Sequence, residues 1–375
     1  MKKKIAIIGA GIGGITLANL LQKNSAFEFI IYEKEETLNL DEGFGIQLAV
    51  NSISILNQIG FSGLNKSEIY NPKKLDFYSD EDKICDLDLT QFNSATEKYT
   101  TLKRASLIKF LKNKLFSNSI KFNKTVESVE QNRDILKIKF KDGDSDEVDY
   151  LVVSDGVFSK TKSIIEKKIF KPRHYGAVAV RTQIKAEDIS KFKTENISVL
   201  MSSKSHLVLY PVNDSRDINL VCILRKNISE KKTIEQLLSE KFINKNKHLI
   251  RFFSGDLNTW SIYTSSKPVK SILKNVFYLG DAFYTFPPTL AQGASQSIES
   301  AKELYDLLLA NKQNIENIYF KERLRKTTMI NNRSRFNYFV FHISNVILKI
   351  FRNQFLKILI KNKSFIHRYL SKIYN

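Results

Sequence analysis

Cysteine is scarce in this sequence. Cys85 and Cys222 are the two thiols, and no C-x-x-C spacing is present. That excludes a disulfide framework and a zinc site, and it fits a reducing compartment. No Pro/Gly-rich linker divides the chain, so a second domain must be inserted into the first rather than appended to it. No apolar run reaches the length of a membrane span. No segment is of low complexity, and no internal repeat is visible. The five histidines are scattered, without H-x-x-x-H or H-E-x-x-H, so metal ligation has no support. Acidic residues are in deficit, 39 against 59 Lys and Arg, for a net charge of +20. Such a charge suits nucleic acid or an anionic membrane. A nucleic-acid recognition motif is missing, however. The richness in Lys, Ile and Asn is also what AT-biased coding produces. The deficit is local: from Arg323 to the C-terminal end there are 12 Lys or Arg and no Asp or Glu.

What is present has α/β order. Residues 4–8 (KIAII) read as a buried parallel strand, 13–23 as a helix and 28–32 (EFIIY) as a second buried strand. Helices are expected over 51–59 and 104–117, and a run of strands over 120–153. Residues 175–225 are strand-rich (YGAVAVRTQI, ISVLMSS, HLVLYPV, INLVCILR) and form the best candidate for a separate sheet domain. NVFYLGDA reads as a strand returning to the first domain. A helix follows from about Gln292 to Leu309, and the end of the chain is helical and basic. The division expected is 1–70, 98–173 and 270–317 for the first domain, 71–97 and 174–269 for the sheet domain, and 318–375 for C-terminal helices.

The stretch KKKIAIIGAGIGGITLANLLQKN (2–24) has the lysines and apolar residues of a secretion signal. Its four glycines and the lack of an A-x-A-like site argue against one. Gly9-Ala10-Gly11-Ile12-Gly13-Gly14 instead fits G-x-G-x-x-G between a strand and a helix. Gly9 permits the tight turn, Gly11 lets a pyrophosphate approach the backbone, and Gly14 lets helix and strand pack closely. Glu33 ends the second strand, where an acid takes ribose hydroxyls. The fingerprint alone does not separate NAD from FAD. Two later stretches bear on this. Asp155-Gly156 follows the strand YLVV. Gly280-Asp281 follows VFYL and precedes two prolines and a glycine that opens a helix. Asp281 at a strand end can bind a ribityl or ribose hydroxyl. Gly293 and Ala294 at a helix start can aim N–H groups at an anion, such as the pyrimidine edge of a reduced flavin.

This set resembles the single-component flavin-dependent aromatic hydroxylases, the p-hydroxybenzoate hydroxylase fold, and especially the salicylate hydroxylase-like branch. The resemblance runs in order over nearly the whole chain. It covers Gly9–Gly14 with Glu33, GFGIQLAVNSISILNQIG (43–60), Arg104 in LKRASLIKFL, Asp155-Gly156 (the DG motif), Gly280-Asp281 (the GD motif), PTLAQGASQSIESA (288–301), HLVLYPV (206–212) and FNYFVFHIS (336–344). It implies a Rossmann-type FAD-binding domain with an inserted β-sheet substrate domain and a C-terminal helical segment. It further implies that FAD is held by Gly9, Gly11, Ile12, Gly13, Gly14, Glu33, Lys34, Gly45, Arg104, Val126, Asp155, Gly156, Gly280, Asp281, Gln292, Gly293 and Ala294. NAD(P)H is then a transient co-substrate, which fits the lack of a second G-x-G-x-x-G. The implied reaction is hydroxylation of a small aromatic or similarly electron-rich molecule by O2 through a flavin C4a-hydroperoxide, in an enzyme of the cytoplasm.

The chain departs from the family pattern at two points. Lys162 stands where an arginine closes the DG motif, and it keeps the charge but loses the bidentate fork. Phe283-Tyr284 replace the usual alanine-histidine and add bulk beside the expected flavin site. They leave open a reductase or dehydrogenase acting on a prenyl or quinone-like substrate, or a non-catalytic FAD-binding accessory protein.

Substrate-side candidates are Arg181 for a carboxylate, Tyr210 for a hydroxyl, Tyr284 for lining the ring site and Pro288 for stiffening the adjoining loop. His206 could relay a proton. Each has a plain structural alternative: a surface ion pair for Arg181, packing for the tyrosines, a satisfied core residue for the histidine. SNVILKIFRNQFLKILIKNK (344–363) reads as a loosely amphipathic helix. Lys349, Lys357 and Lys361 share one side, with Arg352 at its edge, and Ile347, Phe351, Phe355 and Ile358 lie mostly opposite. Such a helix can lie on an anionic membrane such as the inner membrane, or pack on the body with a solvated charged face.

Overall fold

The computed structural model describes residues 2–374 except 39, 41–43, 190–191, 228, 242–246, 254–256 and 266. Gly43, the first residue of the expected glycine-rich segment, lies outside them.

The first domain is built on a five-stranded parallel sheet. Its order is Val276–Tyr278, Tyr150–Val153, Lys3–Ile8, Phe27–Tyr32, Ile120–Lys121. These strands are short apolar runs because both faces are covered. One face carries the helices Ile12–Leu21 and Gly293–Leu309, joined through Ile15, Leu17, Ile298 and Leu304. The other carries a three-stranded antiparallel sheet, Val126–Asn132, Ile135–Phe140 and Ser145–Val148, through Ile138, Phe140 and Val153. Chain order reverses between Lys3–Ile8 and Tyr150–Val153. In open α/β sheets ligands bind beyond the carboxyl ends of the strands at such a reversal.

The inserted domain is a seven-stranded sheet. Its order is Asn258–Thr264, Arg173–Lys185, Asp217–Arg225, Ser205–Val212, Ile197–Ser202, Lys74–Ser79, Asp82–Asp88. One face is apolar, with Val180, Leu207, Leu220 and Leu224 packed under Leu237, Leu238 and Leu249. The opposite face, reached by the alternate residues of the same strands, turns toward the first domain. It carries Arg181, Tyr210 and Asn219, with Arg181 opposite Val221 and Tyr210 opposite Asn219. A small sheet of Gly45–Leu48, Thr100–Lys103 and Ile69–Tyr70 joins the domains.

The chain ends in the helices Ile315–Phe341, Val346–Lys361 and Lys363–Tyr374. The first is fixed to Gly293–Leu309 by Arg323, which is fully buried. Its guanidinium pairs with Glu299 (3.0 Å) and Glu303 (3.1 Å) and donates to Gln296 Oε1 (2.7 Å). The helix expected over 104–117 runs Arg104–Asn113, and the left-handed backbone of Asn118 closes the turn that follows. The helix over 344–363 is present, but its faces are not disposed as a solvated basic helix requires. Lys349 turns toward Asp80 (3.7 Å), and buried Arg352 donates to Ser79 Oγ (2.8 Å).

Candidate active site

Three turns hang side by side from the carboxyl ends of three neighbouring strands. Ile8 pairs with Val153 and Val153 with Tyr278, so Gly9, Asp155-Gly156 and Gly280-Asp281 lie along one edge. Gly9 has φ +100°, and a Cβ there would stand 2.7 Å from Ser154 O. At Gly14 a Cβ would meet Gly9 O at 2.2 Å, so helix and strand touch at backbone distance. Gly11 faces open space, and no side chain caps the N–H groups of the helix it begins. Unpaired N–H groups and an unfilled approach form a cradle for a diphosphate. Ile12 is the first residue of that helix, and Gly13 packs against Leu279.

Glu33 is buried beside this cradle. Its Oε2 accepts from Ala10 N–H (2.8 Å) and its Oε1 from Glu35 N–H (3.1 Å), so it braces the turn and keeps further lone pairs for hydroxyl donors. Lys34, its neighbour, is exposed and paired with Glu35 (3.1 Å). Val126 packs in the same cluster as Tyr32, and Lys124 N–H reaches Glu33 O (2.8 Å).

Asp155 accepts from Thr161 N–H at Oδ2 (3.2 Å), while Oδ1 is buried without a hydrogen-bond partner. Burial raises its carboxyl above the ordinary range. Asp281 is open to solvent and yet enclosed by protein, as a group lining a cleft is. That desolvation pushes its carboxyl up to about 6. Gly280 needs its glycine: φ is +61°, and a Cβ would stand 2.8 Å from Ser297 Oγ. Across this turn lies a second uncapped helix start, with Gln292 as a buried N-cap, Gly293 exposed and Ala294 half-buried. Two helix N-termini, an orphaned buried carboxylate oxygen and a free carboxyl suit a long ligand with an anionic middle, hydroxyls and an electron-rich ring edge.

Lys162 does not face the cleft. Its ammonium donates to Ala282 O (2.6 Å) and lies over the rings of Phe170 (5.1 Å) and Tyr278 (5.8 Å). It thus ties the helix after Asp155-Gly156 to the turn of Gly280-Asp281, and burial lowers its pKa. Phe283 is buried against Tyr319 and Phe320 and borders the same small cleft as Asp281 and Tyr284. Tyr284 is half-buried and, with Gly280, Asp281 and Gly293, lines a small cleft. Pro288 is exposed at the start of a 3-10 turn that Thr289 fastens to Ser334 O (2.6 Å).

The substrate-side candidates divide. Tyr210 is buried, and its hydroxyl donates to Gly45 O (2.5 Å) while Asn219 Oδ1 accepts from Gly45 N–H (2.7 Å). Gly45 is therefore clamped on both sides by the sheet, and a Cβ there would stand 2.7 Å from the Tyr210 ring. Gly45 pairs with Lys103, so Arg104, at the start of the next helix, is its near neighbour. Arg181 stands on the same sheet face. Its guanidinium lies 5.2 Å above Trp260, which is itself edge-on to Phe44, and its Nε is buried without a partner. The ion pair weighed for Arg181 is not found among the described residues. His206 is buried with its Nδ1 2.8 Å from His342 Nε2, and His342 Nδ1 accepts from Arg225 (3.3 Å). Desolvation pushes its imidazole down to about 3.

Asn219, Trp260 and Arg335 escaped the sequence reading. Arg335 is exposed on the helix Ile315–Phe341, and its charge reaches the hydroxyls of Tyr175 and Tyr284. A lone asparagine in the apolar strand INLVCILR was the available signal for Asn219. Nothing local marked the other two.

A family model described as FAD binding domain matches residues 2–314. The 3-amino-4-hydroxybenzoate 2-monooxygenase of Streptomyces cremeus is 23% identical over 343 residues, covering 88% of this chain and 86% of that protein. Among solved structures, HpxO of Klebsiella pneumoniae, complexed with FAD and uric acid, has a TM-score of 0.85 at 18% identity, over 100% of this chain and 97% of that one. A salicylate hydroxylase in a substrate complex has a TM-score of 0.81 at 17% identity, over 99% and 97%. These two likenesses speak for the fold, and the family match speaks for the cofactor. The chain belongs to the FAD binding domain family and is an FAD-dependent monooxygenase of the aromatic hydroxylase kind.

Proposed function

We propose that this monooxygenase hydroxylates a small aromatic ring bearing a carboxylate, with NAD(P)H as reductant. The observation that carries the carboxylate is Arg181, a cation with an unpartnered buried Nε on the face that turns toward the cofactor domain. A substrate anion supplies the acceptor that the chain does not. The relative from Streptomyces cremeus is named for a ring of this class.

The reaction balances as substrate C–H, O2, NAD(P)H and a proton giving substrate C–OH, water and NAD(P)+. FAD, when bound, carries the electrons from the nicotinamide to oxygen. The residues do the rest. The Gly9–Gly14 turn and Glu33 hold the diphosphate and ribose, with Lys34 and Val126 flanking. Asp155, Asp281 and the helix start at Gln292–Ala294 would hold the flavin end, together with Gly45 and Arg104. Arg181 orients the ring by its carboxylate, the Tyr284 ring lines the pocket, and Pro288 stiffens the loop that keeps water out. The hydroxyl proton of Tyr210 goes to Gly45 O, so toward substrate it offers lone pairs and a ring edge. Phe283 and Tyr284 both border the cleft and are the residues that favour the reductase alternative. A nicotinamide reductant supports a cytoplasmic working place.

The test is NADH and NADPH oxidation by the yellow protein in an oxygen electrode, across benzoates, phenols and quinones. Oxygen uptake raised by a benzoate, with a hydroxylated product, supports the reading. Turnover that persists without oxygen, on a quinone, sinks it.

A further inference from the structure

The helix Val346–Lys361 is inverted relative to a helix packed by its apolar stripe. Its inner face holds Lys349, Arg352, Leu356 and Ile360 against the sheet domain. Its outer face is mostly apolar. Seven of the seventeen large hydrophobic side chains exposed among the described residues belong to this one helix, with Phe351 68% and Ile358 66% exposed. At 3.6 residues per turn, Ile347, Ile358, Phe351, Phe355 and Leu348 form an unbroken sector of about 100°. Lys357 and Lys361, both exposed, run along one border of it. Contiguous exposed apolar surface of this kind marks an interaction site.

We propose that this face lies in the interface of an anionic lipid membrane, with the apolar sector at the acyl boundary and Lys357 and Lys361 on the headgroups. Charge selects this occupant over a second copy of the chain. A second copy of this stretch brings the same positive excess, since residues 323–375 hold 12 Lys or Arg and no Asp or Glu, whereas an anionic surface answers it. The helix lies on the bilayer and does not cross it, since no helix among the described residues is long and apolar enough to span. The proposal does not depend on the substrate class.

The holoenzyme is floated with vesicles of phosphatidylcholine, alone or mixed with phosphatidylglycerol. It is expected to rise with the anionic vesicles and scarcely with the neutral ones. The double variant Phe351→Gln, Phe355→Gln should partition on the order of 100-fold less, with its flavin spectrum and NAD(P)H oxidation unchanged. Lys357→Gln with Lys361→Gln should lower anionic binding roughly 25-fold. Failure of the wild type to rise with either vesicle overturns the proposal. So does equal flotation of wild type and the phenylalanine variant. In either case, a dimer in sedimentation that the phenylalanine variant dissolves would identify a second copy as the occupant.

Discussion

At Arg181 the sheet presents a guanidinium whose described company is aromatic. A charge-assisted bond to a substrate carboxylate is worth roughly 1.5–3 kcal/mol. Arg181→Ala should therefore raise KM for a benzoate roughly 10- to 100-fold and leave KM for the matching phenol little changed. Arg181→Lys should recover part, since it keeps the charge without the fork. Steady-state kinetics with both substrates check this. Asp281 gives a pH prediction. Its folded pKa, about 6, lies above the ordinary carboxylate value of about 4. The folded apoprotein thus binds more protons than the unfolded chain between those values, and this group's contribution to stability falls as pH rises through that window. Melting temperatures of apoprotein and the Asp281→Asn variant should be close near pH 4 and diverge in favour of the variant above pH 6. Parallel curves would show that Asp281 is not desolvated.

The cofactor cradle is a matter of elements. Gly9→Ala puts a Cβ 2.7 Å from Ser154 O at φ +100° and should lower both the melting temperature and FAD affinity. Gly11→Ala meets nothing in the protein and should fold normally while weakening FAD binding. Melting of the apoproteins and FAD titration separate the two. These turns were legible in the sequence because each needs a residue type for a local reason: a positive φ, a backbone contact, a helix start. Asn219 and Trp260 were not. Their meaning comes from the register of a seven-stranded sheet, which sets Asn219 beside Tyr210 and stands Arg181 over Trp260. The faces of Val346–Lys361 were ambiguous for the same reason. The pattern defines two sides, but which one turns inward is decided by Ser79 and Asp80 in a distant hairpin. Lys162 was legible as a departure but not as a strut, because Ala282 O is supplied by the other motif.

Over the whole molecule, the helix Ile315–Phe341 is held to the cofactor domain by buried Arg323, by Lys326 on Glu299 (3.4 Å) and by Ile315 and Tyr319 in its core. Removing one partner of a buried ion pair costs roughly 3–5 kcal/mol. Arg323→Ala takes the guanidinium from Glu303, while Glu299 keeps Lys326 and Asn51, so urea unfolding should show a loss near the lower figure, both carboxylates being partly exposed. An unchanged midpoint would contradict the network. The interleaving of the two sheets also governs how this protein is made. Lys3–Ile8 pairs early with Phe27–Tyr32 but gains its second neighbour only with Tyr150–Val153, and Lys74–Ser79, already paired with Asp82–Asp88, waits for Ile197–Ser202 on its other edge. The ribosome makes the Gly9 turn about 270 residues before the facing Gly280-Asp281 turn. Until those distant partners are made, each sheet has an unpaired apolar edge, a condition in which chaperones are needed. FAD loading accordingly waits for the Gly280-Asp281 turn and the helix start at Gly293.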